Sequence, residues 1–200
     1  MRSAHSMRAG EADECRLLLM QDFVNTSFSF NATVPSYEAW VLEQDLRPVY
    51  ARYRDNLKLI GAREPGKRWV LKNSSHVWAL PALVATFPDV CLVQTHRDPL
   101  EWLVSIASLV YKSRILYEPG VRKQCVGEQA LRQWSKVIER CRADRAGLAC
   151  SVLDVHHRHF QRDPIGTIRR IYDHFAWPWS LQTEKAIREL DEMEGALARV

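Results

Sequence analysis

Two patterns alternate along the chain, helix-period stretches and short unbroken apolar runs, and their order predicts the fold. The first 60 residues read as helical. "ECRLLLMQDF" (14–23), "SYEAWVLEQ" (36–44) and "LRPVYARYRDNLKLI" (46–60) each predict a helix. Pro48 is compatible with the third because it falls in the first turn. Gly61 punctuates the pattern and "REPGK" (63–67) predicts a turn. Three apolar runs come next: "RWVL" (68–71), "VCLVQT" (90–95) and "CSVLDV" (150–155). They are brief, rich in β-branched residues and not alternating, as in strands buried on both faces. Helical stretches at 76–87, 99–117 and 128–146 separate them, and two more follow at 164–176 and 181–198. Strand, helix, strand, helix, strand implies βαβ crossovers and a parallel sheet flanked by helices, the α/β class, behind a helical N-terminal region. Three strands make a narrow sheet. The reading is one domain over residues 1–200, with residues 1–60 helical and 66–176 forming an α/β core.

The second run ends in "THRDP", and the turn has its own chemistry. Asp98 is a good N-cap, Pro99 fits the first helical position and Glu101 the third, a capping-box-like start. A helix entered this way presents N–H groups and a dipole that favour an anion at its mouth. Arg97 stands just before the cap. Ser105, seven residues past Asp98, returns to within about 20° of the cap's face and lies about 10 Å down the axis. Arg97 and Ser105 could therefore hold one phosphate between them. Ser108 is turned about 80° away and is the poorer candidate. The plainer alternative pairs Arg97 with a surface carboxylate and Ser105 with its own helix backbone. "HRD" also opens the catalytic loop of protein kinases, but the Asn required five residues after the Asp is Leu103 here, and no Gly-rich loop or DFG is present.

A second dense stretch is "GKRWVLKNSSHVWALPALVATFPD" (66–89). A predicted strand delivers Lys72 to its carboxyl end, the edge at which α/β proteins bind ligands. Asn73, Ser74 and Ser75 can cap the next helical stretch. Pro81 predicts a kink or a late helix start. His76 is either a helix-cap histidine without chemistry or a site residue.

Composition narrows the function. The chain is 46% apolar and 26% charged, enough for a real core, with a formal charge of +4 carried by 21 Arg and 7 Lys. That favours anionic ligands mildly but lacks the basic block or basic-aromatic stripe of a nucleic-acid binder. No run of about 18 apolar residues predicts a membrane span. The N-terminus has no apolar signal core, so a cytoplasmic location is expected. Cys15, Cys91, Cys125, Cys141 and Cys150 are odd in number and widely spaced, which reads as reduced thiols. His156, His157 and His159 in "DVHHRHF" are spaced too irregularly to put three imidazoles on one face, so a solvated loop is expected and no metal.

Taken together, "WVLKNSSH", "FPDVCLVQTHRDP" with Ser105, "VPSYEAW" and "RDPIGTIRRIYDHF" resemble the PAPS-dependent sulfotransferases of the bacterial-type branch, over residues 14–180. The resemblance implies a sulfotransferase fold of P-loop type, PAPS as sulfuryl donor and a small-molecule hydroxyl acceptor, with no metal. It implies that Arg97 and Ser105 bind the 3′-phosphate of PAPS, that Lys72 neutralises charge on the sulfuryl group or the 5′ side, and that His76 is the general base. Family members also grip the 5′-phosphosulfate with a Gly-rich loop after the first strand. The glycines at 10, 61, 66, 120, 127, 147, 166 and 195 form no such cluster. A basic, glycine-rich C-terminal closing segment is not seen either. The expectation is therefore an incomplete sulfotransferase, weak or inactive alone. The alternatives are a non-catalytic nucleotide- or partner-binding relative and an unrelated α/β nucleotide-binding module.

Overall fold

The computed structural model describes residues 14–197, with side chains described to residue 193. Among the described residues ten helices and two strands occur in the order α1 (Arg16–Leu19), α2 (Ser27–Asn31), α3 (Pro35–Leu42), α4 (Arg47–Ile60), α5 (Leu80–Thr86), β1 (Leu92–His96), α6 (Pro99–Arg114), α7 (Lys123–Ala146), β2 (Val152–His156), α8 (His157–Arg162), α9 (Pro164–His174) and α10 (Leu181–Leu197). Two 3-10 turns, Gly61–Arg63 and Ser74–Trp78, lie between α4 and α5. The chain forms two compact units. One comprises the described residues up to Pro88 together with Ser105–Leu148; the other comprises Asp89–Val104 and the described residues from Ala149 onward.

The first unit is helical. α4 buries Val49, Tyr50, Tyr53 and Leu57 on one face, the 3.6-residue period expected of a helix with one apolar stripe. That face packs on α5, which buries Leu80, Ala82 and Leu83. A second cluster joins Val41 of α3, Trp78 and Val137 of α7, with Val24, Tyr37, Leu42, Val77 and Trp134 packed around it. Arg114, at the end of α6, is buried among polar groups. It donates to Gln129 Oε1 at 2.6 Å, to Thr33 Oγ1 at 3.2 Å and to the Ser29 carbonyl, and lies 3.8 Å from Glu38. The Glu38 carboxylate accepts from Gln129, so one network links the α2–α3 region, α6 and α7.

The second unit carries the sheet. β1 and β2 are parallel, in register from Leu92 opposite Val152 to His96 opposite His156. α8 and α9 pack on β2. Asp163 caps α9, accepting from the Gly166 N–H at 2.8 Å.

The α/β class and the parallel pairing agree with the sequence reading, while several elements differ from it. Residues 68–71 form no strand and no ladder among the described residues. Trp69 is 48% exposed and Val70 90%. The backbone there is met instead by the chain start: Cys15 N–H donates to the Lys72 carbonyl at 3.1 Å, and Lys72 N–H donates to Cys15 Sγ at 3.1 Å. β1 and β2 are also not buried on both faces; Val93 is 38% exposed, and only Val155 of β2 is buried. Each strand of a two-stranded sheet has one neighbour, so little of its surface is covered. α7 begins at Lys123 rather than 128, and the first helix shrinks to Arg16–Leu19. The histidine run expected as a solvated loop supplies the last residue of β2 and the start of α8. Pro81 resolves as a late start: the chain makes a 3-10 turn over Ser74–Trp78 and α5 begins one residue before the proline. No described helix is long and apolar enough to cross a membrane.

Candidate functional site

The stretch around Lys72 and His76 belongs to the helical unit. Asn73 caps the 3-10 turn, its Oδ1 accepting from Ser75 N–H at 3.0 Å and from Ser75 Oγ at 2.9 Å. This fixes the backbone that presents His76. The imidazole sits half-buried against the inward face of α4. Its ring lies 5.7 Å from that of Tyr50 and 6.0 Å from that of Tyr53, centroid to centroid. Nδ1 is 2.7 Å from Tyr50 Oη. Burial pushes the His76 imidazole down to about 4, because the charged form loses its water, so the ring is neutral at pH 7. Burial, with the neighbouring Cys15 thiol second, pushes the Tyr50 phenol well above its usual range, so Tyr50 keeps its proton.

Lys72 has a largely exposed side chain, and its ammonium is bonded to the Glu14 carboxylate. Lys72 and His76 thus lie four residues apart in one unit with different partners. Ser105 is exposed on α6 and makes no side-chain hydrogen bond among the described residues, so the helix-backbone bond weighed for it does not form.

Arg97 belongs to the sheet-bearing unit, immediately after β1. Its Nε is 3.5 Å from Glu101 Oε2, and Arg158 Nη2 is 3.5 Å from Glu101 Oε1. Asp98 caps α6 as predicted, accepting from the N–H groups of Leu100 and Glu101 at 3.0 and 3.2 Å. Those two N–H groups are therefore spent on the chain's own carboxylate. An anion near this turn would be held by side chains rather than by the helix mouth. At the carboxyl ends of the strands His96 Nε2 is 2.6 Å from Asp154 Oδ1, and the rings of His96 and His156 are 5.4 Å apart. Among the described residues no group of three His, Cys, Asp or Glu side chains could hold a metal ion.

Sequence reasoning did not single out Tyr50, Glu14 or Glu101 as neighbours of the candidate residues. The inward spacing of Tyr50 and Tyr53 on α4 was visible in "VYARY"; their pairing with a turn 26 residues later was not.

Comparison with known proteins gives a consistent picture. A family model described as the sulfotransferase family matches residues 1–180. No curated protein matches the chain. A crystal structure of the sulfotransferase STF1 from Mycobacterium tuberculosis is similar, with a TM-score of 0.84 and 39% sequence identity over 92% of this chain and 51% of that one. The chain thus spans about half the length of that protein.

Proposed function

The chain belongs to the sulfotransferase family, and from that premise we propose that it takes part in sulfuryl transfer from PAPS to a hydroxyl group of a small-molecule acceptor. The observation that carries the reading is local. Arg97 comes directly after β1, Asp98 caps α6, and Ser105 lies exposed two turns along the same helix. On this reading Arg97 and Ser105 hold the 3′-phosphate of the donor. The ion pair between Arg97 and Glu101 is long and exposed, so exchanging the carboxylate for a phosphate costs at most about 1 kcal/mol.

Lys72 and His76 supply the chemistry in the same proposal. The acceptor oxygen forms a bond to sulfur as the bond between sulfur and the oxygen of the 5′-phosphate breaks. The hydroxyl proton passes to His76, and the Lys72 ammonium leaves Glu14 to stabilise charge on the sulfuryl oxygens or the 5′ side. A neutral imidazole at pH 7 suits the receiving role.

Calorimetric titration of the chain with adenosine 3′,5′-bisphosphate and with adenosine 5′-phosphate tests the nucleotide half. The bisphosphate is expected to bind more tightly. Arg97→Ala is expected to remove most of that preference, since a charge-assisted hydrogen bond contributes roughly 1.5–3 kcal/mol. Equal affinity for the two nucleotides in the unsubstituted chain would refute the assignment. A second reading, nucleotide binding without turnover, draws on the chain spanning about half of the solved relative. Bisphosphate preference without sulfuryl transfer to phenols or alcohols is the outcome that selects it.

A further inference from the structure

The contact between Tyr50 and His76 is half-buried, close and absent from the roles assigned above. Tyr50 Oη lies 2.7 Å from His76 Nδ1, and Tyr50 is 3% exposed. The backbone on both sides is fixed. Tyr50 stands in the first turn of the 14-residue helix α4, and His76 N–H donates to the carbonyl of the capping residue Asn73 at 3.3 Å. His76 Nε2 makes no hydrogen bond among the described residues. The titratable groups that face the imidazole are the phenols of Tyr50 and Tyr53 from α4, both neutral at pH 7, and burial lowers its proton affinity.

A single proton can lie between Oη and Nδ1. A phenol is a stronger donor than the N–H of a neutral imidazole, and an imidazole nitrogen is a stronger acceptor than a phenol oxygen. We propose that Tyr50 is the positioning residue of His76, its phenol donating to Nδ1 and leaving the ring proton on Nε2. This rests on the reading of His76 as the group that receives the acceptor's proton.

The consequence concerns that role. In the resting chain Nε2 carries a hydrogen and Nδ1 is occupied, so the ring offers no free lone pair. To receive a proton at Nε2 the ring must first hold its own proton on Nδ1, with the Tyr50 oxygen turned from donor to acceptor. Turning that hydroxyl needs somewhere to point it. The groups beside it are the Cys15 thiol and the buried Tyr53 hydroxyl. Tyr50 thereby sets what fraction of the imidazole is competent as a base.

The test uses the full chain with 15N-labelled histidine and long-range nitrogen–proton correlation spectra, with His76 assigned by loss of its signals in His76→Gln. At pH 7 the Nε2–H tautomer is expected to predominate in the unsubstituted chain. Tyr50→Phe, which keeps the ring and removes the donor, is expected to give a mixture of tautomers. It should also raise the proton affinity of His76 roughly two- to tenfold, the worth of one neutral hydrogen bond that favoured the uncharged ring. An unsubstituted chain in which Nδ1–H predominates would overturn the proposal. So would a Tyr50→Phe variant whose proton affinity falls, since Tyr50 would then have been an acceptor, or one whose ring signals do not change. None of these readouts needs nucleotide. Failure of bisphosphate binding in the unsubstituted chain counts against the sulfuryl-transfer reading alone.

Discussion

Lowering the pH should destabilise this chain through His76, and the structure sets the size of the effect. The imidazole has an ordinary value of 6.5 and about 4 in the folded chain. Above pH 6.5 it is neutral in both the folded and unfolded states, and its contribution is fully present. Between 6.5 and 4 the unfolded state binds the proton and the folded state does not, so stability falls as pH falls. Below 4 both states are protonated and the loss stops. At about 1.4 kcal/mol per pH unit over this window the loss is about 3 kcal/mol. The assay is urea unfolding of the chain and of His76→Gln at steps from pH 7 to pH 4. Gln cannot ionise, and its side-chain oxygen can still accept from Tyr50. Acid titration of carboxylates is common to both proteins, so the difference between them isolates the imidazole. The unsubstituted chain should lose about 3 kcal/mol more than the variant across the window. Parallel stability curves would show that the ring protonates in the folded state as readily as in water, and the desolvation argument would fail.

Two further outcomes are expected. Arg114→Ala leaves the Ser29 carbonyl and Gln129 Oε1 without their donor in a buried setting, and should cost about 3 kcal/mol or more in thermal or urea unfolding; a loss below about 1 kcal/mol would contradict the network. Glu101→Gln removes the carboxylate that Arg97 and Arg158 share, and in the nucleotide titration should tighten bisphosphate binding by up to about fivefold; weaker binding would show that Glu101 supports the site rather than competes for it.

The local features were legible in the sequence. The Asp98 cap and the Pro48 and Pro81 starts each depend on residues close together along the chain, and each forms as expected. The parallel pairing of β1 with β2 came from a longer pattern, two apolar runs separated by helices. The partners of the candidate residues were not legible. Lys72 meets a carboxylate 58 positions earlier in the chain, and His76 a phenol 26 positions earlier. Nothing in the periodicity of either segment announces such a pairing. Polarity alone suggests a loop for the histidine run, whereas its residues end a strand and begin α8.

The "RWVL" run shows why one apolar pattern gave different results at different places. Branched apolar residues make a strand favourable only where a second backbone completes the ladder, because an extended chain leaves its N–H and C=O groups to be satisfied elsewhere. Residues 92–96 and 152–156 find each other and form that ladder. Residues 68–71 find no such neighbour among the described residues, and the chain there is anchored at its end by Cys15 instead. That anchor has a functional bearing on the proposed site. It holds the Lys72 backbone in both directions, through its N–H and its carbonyl, while among the described residues the ammonium is tied by one partly exposed carboxylate pair. A fixed backbone with an exchangeable side-chain partner is the arrangement a ligand-binding cation needs. The base of the side chain is placed in advance, and the charge at its tip can be transferred to an incoming anion at the cost of one surface ion pair.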